Sequence, residues 1–266
     1  MSIRSSGPLN LNADIVAEFT GDTQKNMSTL RGTTWYLDNV LTTGTFPTTN
    51  LKFSDFYSKR RTDPAGAGSQ TYTPGDWTFT VPLYRNSLII DAWGGGAQGA
   101  GNGSPGGDTS VSLPTGTLSA GGGQSGGGGG RRATGAGGPG GGASGGDINE
   151  PGGGGGQGGS GAGGNAGGQA YGGGQGGQPG AVGTACGGNN GASGTAPGGG
   201  GGNVYGRDCS KDPGWSYTGG GGGGGFVRKT LSNSQLTYQS SFNIHVGAGS
   251  TGTVNGADGQ VTISWS

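Results

Sequence analysis

Between Gly94 and Gly225 lie 132 residues, and 62 of them are glycine. The remaining 134 residues hold only 12 of the 74 glycines. Such a stretch has almost no side chains with which to build an apolar core, so it is either structureless or held together by backbone. A flexible Gly/Ser linker behaves as random coil, and glycine loses the most backbone entropy on ordering. A structureless loop of this length inside a compact domain is nevertheless improbable. Collagen is excluded as well, because glycine does not recur strictly at every third position and the whole chain has only 12 prolines.

The tract has a pattern of its own. From Gln157 to Gln178, Gln157, Ser160, Ala166, Gln169, Gln175 and Gln178 share one phase of a three-residue period. Ala162, Asn165 and Tyr171 share a second, and the third is glycine at 158, 161, 164, 167, 173 and 176, broken only by Ala170. Three residues per turn is the period of the polyproline-II helix, which has no internal hydrogen bonds and turns its N–H and C=O groups outward. Those groups need partners. Helices without side chains on their contacting edges can lie side by side and bond laterally. The expectation is a bundle of roughly eight to ten rods of about 8–12 residues. Pure glycine runs such as Gly152–Gly156 and Gly219–Gly225 would form its interior, and 157–178 a peripheral rod. Bulky and charged residues would collect in the connecting loops. Backbone hydrogen bonds return about 0.5–1.5 kcal/mol each against an ordering cost of about 1–2 kcal/mol per residue, so the bundle needs clamps.

Strand patterns flank the tract on both sides and would form one clamp. Trp77, Phe79 and Val81 alternate with Thr78 and Thr80, and Leu88 to Trp93 is apolar on both faces, as in a central strand. Phe242, Ile244 and Val246 alternate with Asn243 and His245, and Val261, Ile263 and Trp265 with Thr262 and Ser264. Residues 226–231 form a further candidate strand and 108–113 a weaker one. Period-two alternation of β-branched and aromatic residues marks half-buried strands. The expected fold is therefore mostly β and irregular. A small antiparallel β-sandwich, from 66–93 and 226–266, carries residues 94–225 as a large insert folded as a polyglycine-II bundle. Cys186 and Cys209 are a candidate second clamp; a disulfide and two free thiols are both compatible with the sequence.

Residues 1–65 have ordinary composition. Leu9, Leu11 and Ile15, then Phe19, resemble in pattern Leu51, Phe53, Phe56 and Tyr57: an alternating apolar pair, Asn or Ser as N-cap, and a short apolar helix. Neither helix stands alone, and so few large apolar residues make a marginal domain. These eight residues are read as an attachment or oligomerisation segment, the only place where helices are expected. Residues 63–68 read as a linker.

Net charge is zero, with 14 basic and 14 acidic residues, so no basic field exists for general nucleic-acid binding. No run of 18 apolar residues suggests a membrane span, and the N-terminus has no apolar signal-peptide core. One histidine and two cysteines leave little for a metal site or a nucleophile–base pair, and His245 reads as a solvent-facing strand residue. Strings such as Gly94-Gly95-Gly96 satisfy dinucleotide-binding patterns by chance and lack their βαβ context. No enzyme and no cofactor are expected.

Several of these pieces resemble bacteriophage proteins. The Leu-x-Leu-Asn-x-Asp-Ile and Leu-x-Phe-Ser-Asp-Phe-Tyr pieces, beginning at Leu9 and Leu51, resemble short motifs of phage tail and baseplate-attached proteins. Phe79-Thr80-Val81-Pro82 followed by Leu88 to Gly96 resembles the opening of the glycine-rich domain at the distal end of many phage tail fibres. In that family the pattern closes with an aromatic–x–basic strand and a Val-Gly-Ala-Gly turn, here Phe226-Val227-Arg228 and Val246-Gly247-Ala248-Gly249. The glycine-rod core is also similar to that of receptor-binding adhesins at T-even-like fibre tips. The resemblance implies a virion protein attached through residues 1–65 to a tail, baseplate or fibre protein. It also implies a host receptor such as lipopolysaccharide, another glycan or an outer-membrane protein, met by loops on the glycine platform. The candidate contact residues are Arg131, Arg132, Asp147, Asn149, Glu150, Tyr171, Tyr205, Arg207, Asp208, Lys211, Trp215 and Tyr217, since aromatic and Arg side chains are the usual anchors of binding surfaces. A structural tail-tip or decoration protein, or an ice-binding protein, shares many of these features. Both a monomer and a homotrimer fit.

Overall fold

The computed structural model describes residues 30–37, 43–60, 66–84, 86–99, 103–130, 133–158, 171–179, 187–208 and 214–266. In chain order its strands are β1 (Thr34–Leu37), β2 (Thr43–Thr45), β3 (Lys59–Arg60), β4 (Gly68–Tyr72), β5 (Gly75–Thr80), β6 (Ser87–Trp93), β7 (Thr109–Leu113), β8 (Gly116–Ala120), β9 (Ala133–Thr134), β10 (Ala143–Ser144), β11 (Ile148–Glu150), β12 (Gly187–Asn190), β13 (Val204–Asp208), β14 (Gly214–Tyr217), β15 (Phe226–Ser232), β16 (Ser241–Val246) and β17 (Gln260–Trp265). The protein is mostly β, and its sheets are antiparallel apart from one short parallel pairing, β14 with β9.

Two five-stranded sheets, in orders β11-β15-β6-β17-β4 and β10-β8-β7-β16-β5, enclose the main apolar core. Alternation decides which side chains enter it. Leu88, Ile90 and Ala92 of β6 are fully buried, whereas Ile89 and Asp91 between them are only half-buried on the outer face. β6 is central, as its composition predicts, with β15 on one side and β17 on the other. Phe79 and Phe242 meet as a cross-strand pair with centroids 5.3 Å apart, and Trp265 reaches Phe79 from the other sheet at 5.8 Å. Burying a side chain of this kind contributes about 1.5–3 kcal/mol. Strands from both ends of the glycine tract thus interleave in the same sheets. The tract itself supplies four more strands, β7, β8, β10 and β11, which sequence placed inside the insert.

Outside the strands, the glycine segments hydrogen-bond sideways in steps of three. The N–H groups of Gly121, Gln124 and Gly127 donate to the carbonyls of Gly142, Pro139 and Ala136. Gly135, Gly138 and Gly141 donate to Tyr217, Gly220 and Gly223, and Gly152, Gly155 and Gly158 to Gly141, Gly138 and Gly135. The Gly219–Gly225 run is the most enclosed. Gly219, Gly222 and Gly225 donate to Gly127, Gln124 and Gly121; Gly220 and Gly223 to Gly156 and Gly153; Gly221 and Gly224 to Gly201 and Gly198. Successive N–H groups therefore point to three different neighbours, and every residue of the run is buried. A methyl at Gly222 would strike the Pro139 carbonyl, and one at Gly225 the Gly142 carbonyl. Close approach of backbones explains why only glycine fits there.

Gly152–Gly156, expected in the interior, lies at the periphery. Gly153 and Gly154 are exposed, and the nearest atom to a methyl at Gly154 would be 3.6 Å away. In 171–179 the inward positions are Gly174 and Gly177, while Gln175 and Gln178 face solvent. The Val246-Gly247-Ala248-Gly249 stretch is more than a turn. Gly107 donates to Ala248, and the chain returns so that Gly96 and Gly99 donate to Ala257 and Val254, again three apart.

In the N-terminal segment, β1, β2 and β3 form an antiparallel sheet in the order β2-β1-β3. Where Leu51 to Arg61 reads as a capped helix, the structure has only a 3-10 turn at Phe53–Phe56, followed by β3. Ser54 is not the cap; Asp55 reaches back instead, accepting a hydrogen bond from the Lys52 N–H at 2.8 Å. Phe56 is fully buried against Phe46, with centroids 4.5 Å apart. Leu51 and Tyr57 are half-buried. Leu9, Leu11, Ile15 and Phe19 lie outside the described residues, as do Cys186 and Cys209.

Candidate functional site

The candidate contact residues fall into two groups at opposite ends of the glycine segments. The first group sits on the sandwich. Asp147 accepts hydrogen bonds from Lys229 Nζ at 2.7 Å and from the Thr230 N–H at 2.8 Å. The Lys229 bond, then the Thr230 bond, holds its carboxyl below the usual carboxylate range. Asn149 closes its own turn, accepting from the Gly146 N–H and donating to the Gly146 carbonyl, both at 3.0 Å. Glu150 pairs with Phe226 in the β11–β15 ladder. These three residues form a strand-forming turn on the sandwich edge.

Tyr171 belongs with them. Its ring stacks on Phe226, with centroids 5.1 Å apart and 16° between planes, and Phe226 packs on Trp93. Arg228 lies 4.0 Å from the centroid of the Tyr171 ring while its guanidinium grips Asp91 with two bonds of 2.5 and 2.6 Å. The Asp91 hydrogen bond raises the Arg228 pKa. This cluster is separate from the main core and fastens the start of the 171–179 segment to the outer face of the sheet. Periodicity could not locate it, because its members lie far apart in sequence.

The second group forms a small sheet of its own, in the order β12-β13-β14-β9. Chain tracing sets it away from the sandwich. The segment after β8 runs out toward β9, 135–142 runs back to β10, and 219–225 runs from β14 to β15. Register places Tyr205 opposite Tyr217 and Arg207 opposite Trp215. The Arg207–Trp215 pair thus neighbours the Tyr205–Tyr217 pair, two residues along each strand. Asn189 is the register partner of Tyr205 on one side and Thr134 that of Tyr217 on the other, two members that sequence reading missed in their glycine-rich surroundings. The tyrosine rings pack at 4.9 Å and 42°. Tyr205 is only 4% exposed, so it supports Tyr217, which is half-exposed. Asp208 is the register partner of Gly214, at the end of the β13–β14 pairing. Below the sheet, Thr218 Oγ1 accepts from the Val204 N–H at 2.8 Å and donates to the Gly99 carbonyl at 2.9 Å, tying the sheet to the glycine segment at Gly99. Arg131, Arg132 and Lys211 lie outside the described residues; the two arginines immediately precede β9.

Among the described residues no group of three or more His, Cys, Asp or Glu could hold a metal ion, and no helix is long and apolar enough to cross a membrane. His245 is on the outer face of its sheet, as expected, and its Nδ1 lies 2.7 Å from Asp76 Oδ1. No family model, no curated protein and no solved structure matches the chain.

Proposed function

We propose that the protein is a bacteriophage tail-fibre or tail-tip adhesin, and that its glycine tract is a polyglycine-II bundle serving as a rigid platform for a receptor-binding surface. Three-residue steps in the lateral hydrogen bonds support the bundle reading, since three residues per turn is the period of that helix. At about 3.1 Å per residue, the stretch from Thr218 to Gly225 holds its two ends roughly 25 Å apart.

The observation that carries the binding reading is the register of the outlying sheet, which sets the Arg207–Trp215 pair next to the Tyr205–Tyr217 pair. Two tyrosines, a tryptophan and an arginine at neighbouring register positions match the residue types that dominate binding hot spots. A platform with a backbone core presents such residues with little conformational freedom left to lose, which favours affinity. In this reading Asp147, Asn149, Glu150 and Tyr171 anchor the platform, and residues 1–65 attach the protein to a tail, baseplate or fibre protein. The receptor is a host-surface molecule: lipopolysaccharide, another glycan or an outer-membrane protein.

Adsorption inhibition tests this. Purified full-length protein should bind cells of the susceptible host and compete with infection, and should lose both activities on a host mutant lacking the receptor. Arg207→Ala with Trp215→Ala should abolish competition while leaving the thermal unfolding midpoint unchanged. Competition that survives the double substitution would remove these residues from the function. Failure of the intact protein to bind any susceptible cell would remove the adhesin reading itself.

A further inference from the structure

The sandwich carries a second concave surface that the adhesin reading does not use. On the outer face of β5, β16 and β7 lies a groove of about 400 Å³, lined by the side chains of Asp76, Thr78, Ser110, Ser112, Asn243 and His245. Cross-strand register arranges these side chains in two rows. Asp76, His245 and Ser110 stand opposite one another in the first, and Thr78, Asn243 and Ser112 in the second. Neighbouring strands lie about 4.8 Å apart, so the rows form a regular grid of polar groups.

We propose that this groove binds a neutral oligosaccharide. Its volume falls within the range of about 300–1,000 Å³ typical of small-ligand sites. The polar groups are hydroxyls, an amide, an imidazole and a carboxylate, a set that both donates and accepts, as sugar hydroxyls require. Several are unused. Among the described residues, the Ser110 and Ser112 hydroxyls and the Asn243 amide N–H groups have no protein partner, while Asn243 Oδ1 accepts a long bond from Thr78 at 3.4 Å. No lysine or arginine lines the groove, so nothing there favours an anionic ligand. Its single carboxylate is engaged by His245, which argues against a cation. The floor has no exposed apolar cluster of the kind that anchors a protein partner.

Saturation-transfer NMR on the full chain tests the proposal with maltotriose, mannotriose and tri-N-acetylchitotriose as probes. At least one should receive saturation from the protein. Asn243→Ala and His245→Ala should each weaken that binding about tenfold, the loss of one good hydrogen bond. Ser112→Trp, which fills the floor from an exposed position, should abolish it. Trp215→Ala, on the outlying sheet, should leave it unchanged, which separates this site from the adhesin surface. Transfer to none of the three probes, or transfer that persists in both Ser112→Trp and Asn243→Ala, would overturn the proposal. So would a sialylated trisaccharide binding as tightly as the neutral probes.

Discussion

In the sandwich, Leu88, Ile90, Leu231 and Ile263 are sealed from solvent by one another's side chains. Among the glycine segments, Gly219 to Gly225 are equally buried with no side chain among them. One region gains its stability by removing apolar area from water, the other by saturating backbone N–H and C=O groups with each other. The two cores should therefore fail differently. A side-chain core answers truncation by leaving a cavity, and the damage is graded by its size. A backbone core has nothing to truncate. It answers addition, because a methyl at Gly219, Gly221, Gly222, Gly224 or Gly225 lands on a backbone carbonyl of a neighbouring segment.

The largest effect should come from adding one methyl to the central run. Gly222→Ala places Cβ against the Pro139 carbonyl and should cost about 4 kcal/mol or more, at the upper end for single substitutions, measured by denaturant unfolding. Ile90→Ala, which removes three carbons from the middle of the sandwich, should cost about 3 kcal/mol. A tolerated Gly222→Ala would erase the contrast between the two cores. Gly154→Ala sharpens it: the same substitution, in the same tract, makes only an ordinary van der Waals contact with the Gly138 carbonyl and should change stability by less than about 0.5 kcal/mol.

A further small effect is electrostatic. Asp147 has its pKa lowered in the folded protein by Lys229 and the Thr230 N–H. Its contribution is fully present above the ordinary value of 3.8 and is lost as pH falls through the lower folded value. The pair is solvent-exposed, so Asp147→Asn should cost under about 1 kcal/mol at neutral pH. It should also flatten the fall in stability on acidification, as followed by urea unfolding at several pH values. An unchanged acid limb would show that the bond to Lys229 does not hold in solution.

Much of this was legible in the sequence because two periods are simple. Alternation located β5, β16 and β17, a run apolar on both faces located β6, and long glycine runs located the buried segment at Gly219–Gly225. β8 was missed because Thr117, Leu118 and Ser119 sit in a glycine-rich stretch with a single apolar residue to show an alternation. The peripheral place of Gly152–Gly156 was also hidden, since a run of glycine does not reveal which of its faces is open. Of the candidate contact residues, Arg207, Trp215 and the two tyrosines came together because they are close in sequence and on adjacent strands. Tyr171 and Asp147 were drawn to the other end by Arg228, Phe226 and Lys229, partners with no short-range sequence signal.

Amide hydrogen exchange compares the two cores directly. If lateral backbone bonds build the bundle, the amides of Gly219 to Gly225 should exchange as slowly as those of Leu88 to Trp93 in β6, and both sets should open only with global unfolding. Exchange of the glycine run at the rate of an unstructured peptide, while β6 stays protected, would contradict the account: the tract would then be a linker between sandwich strands.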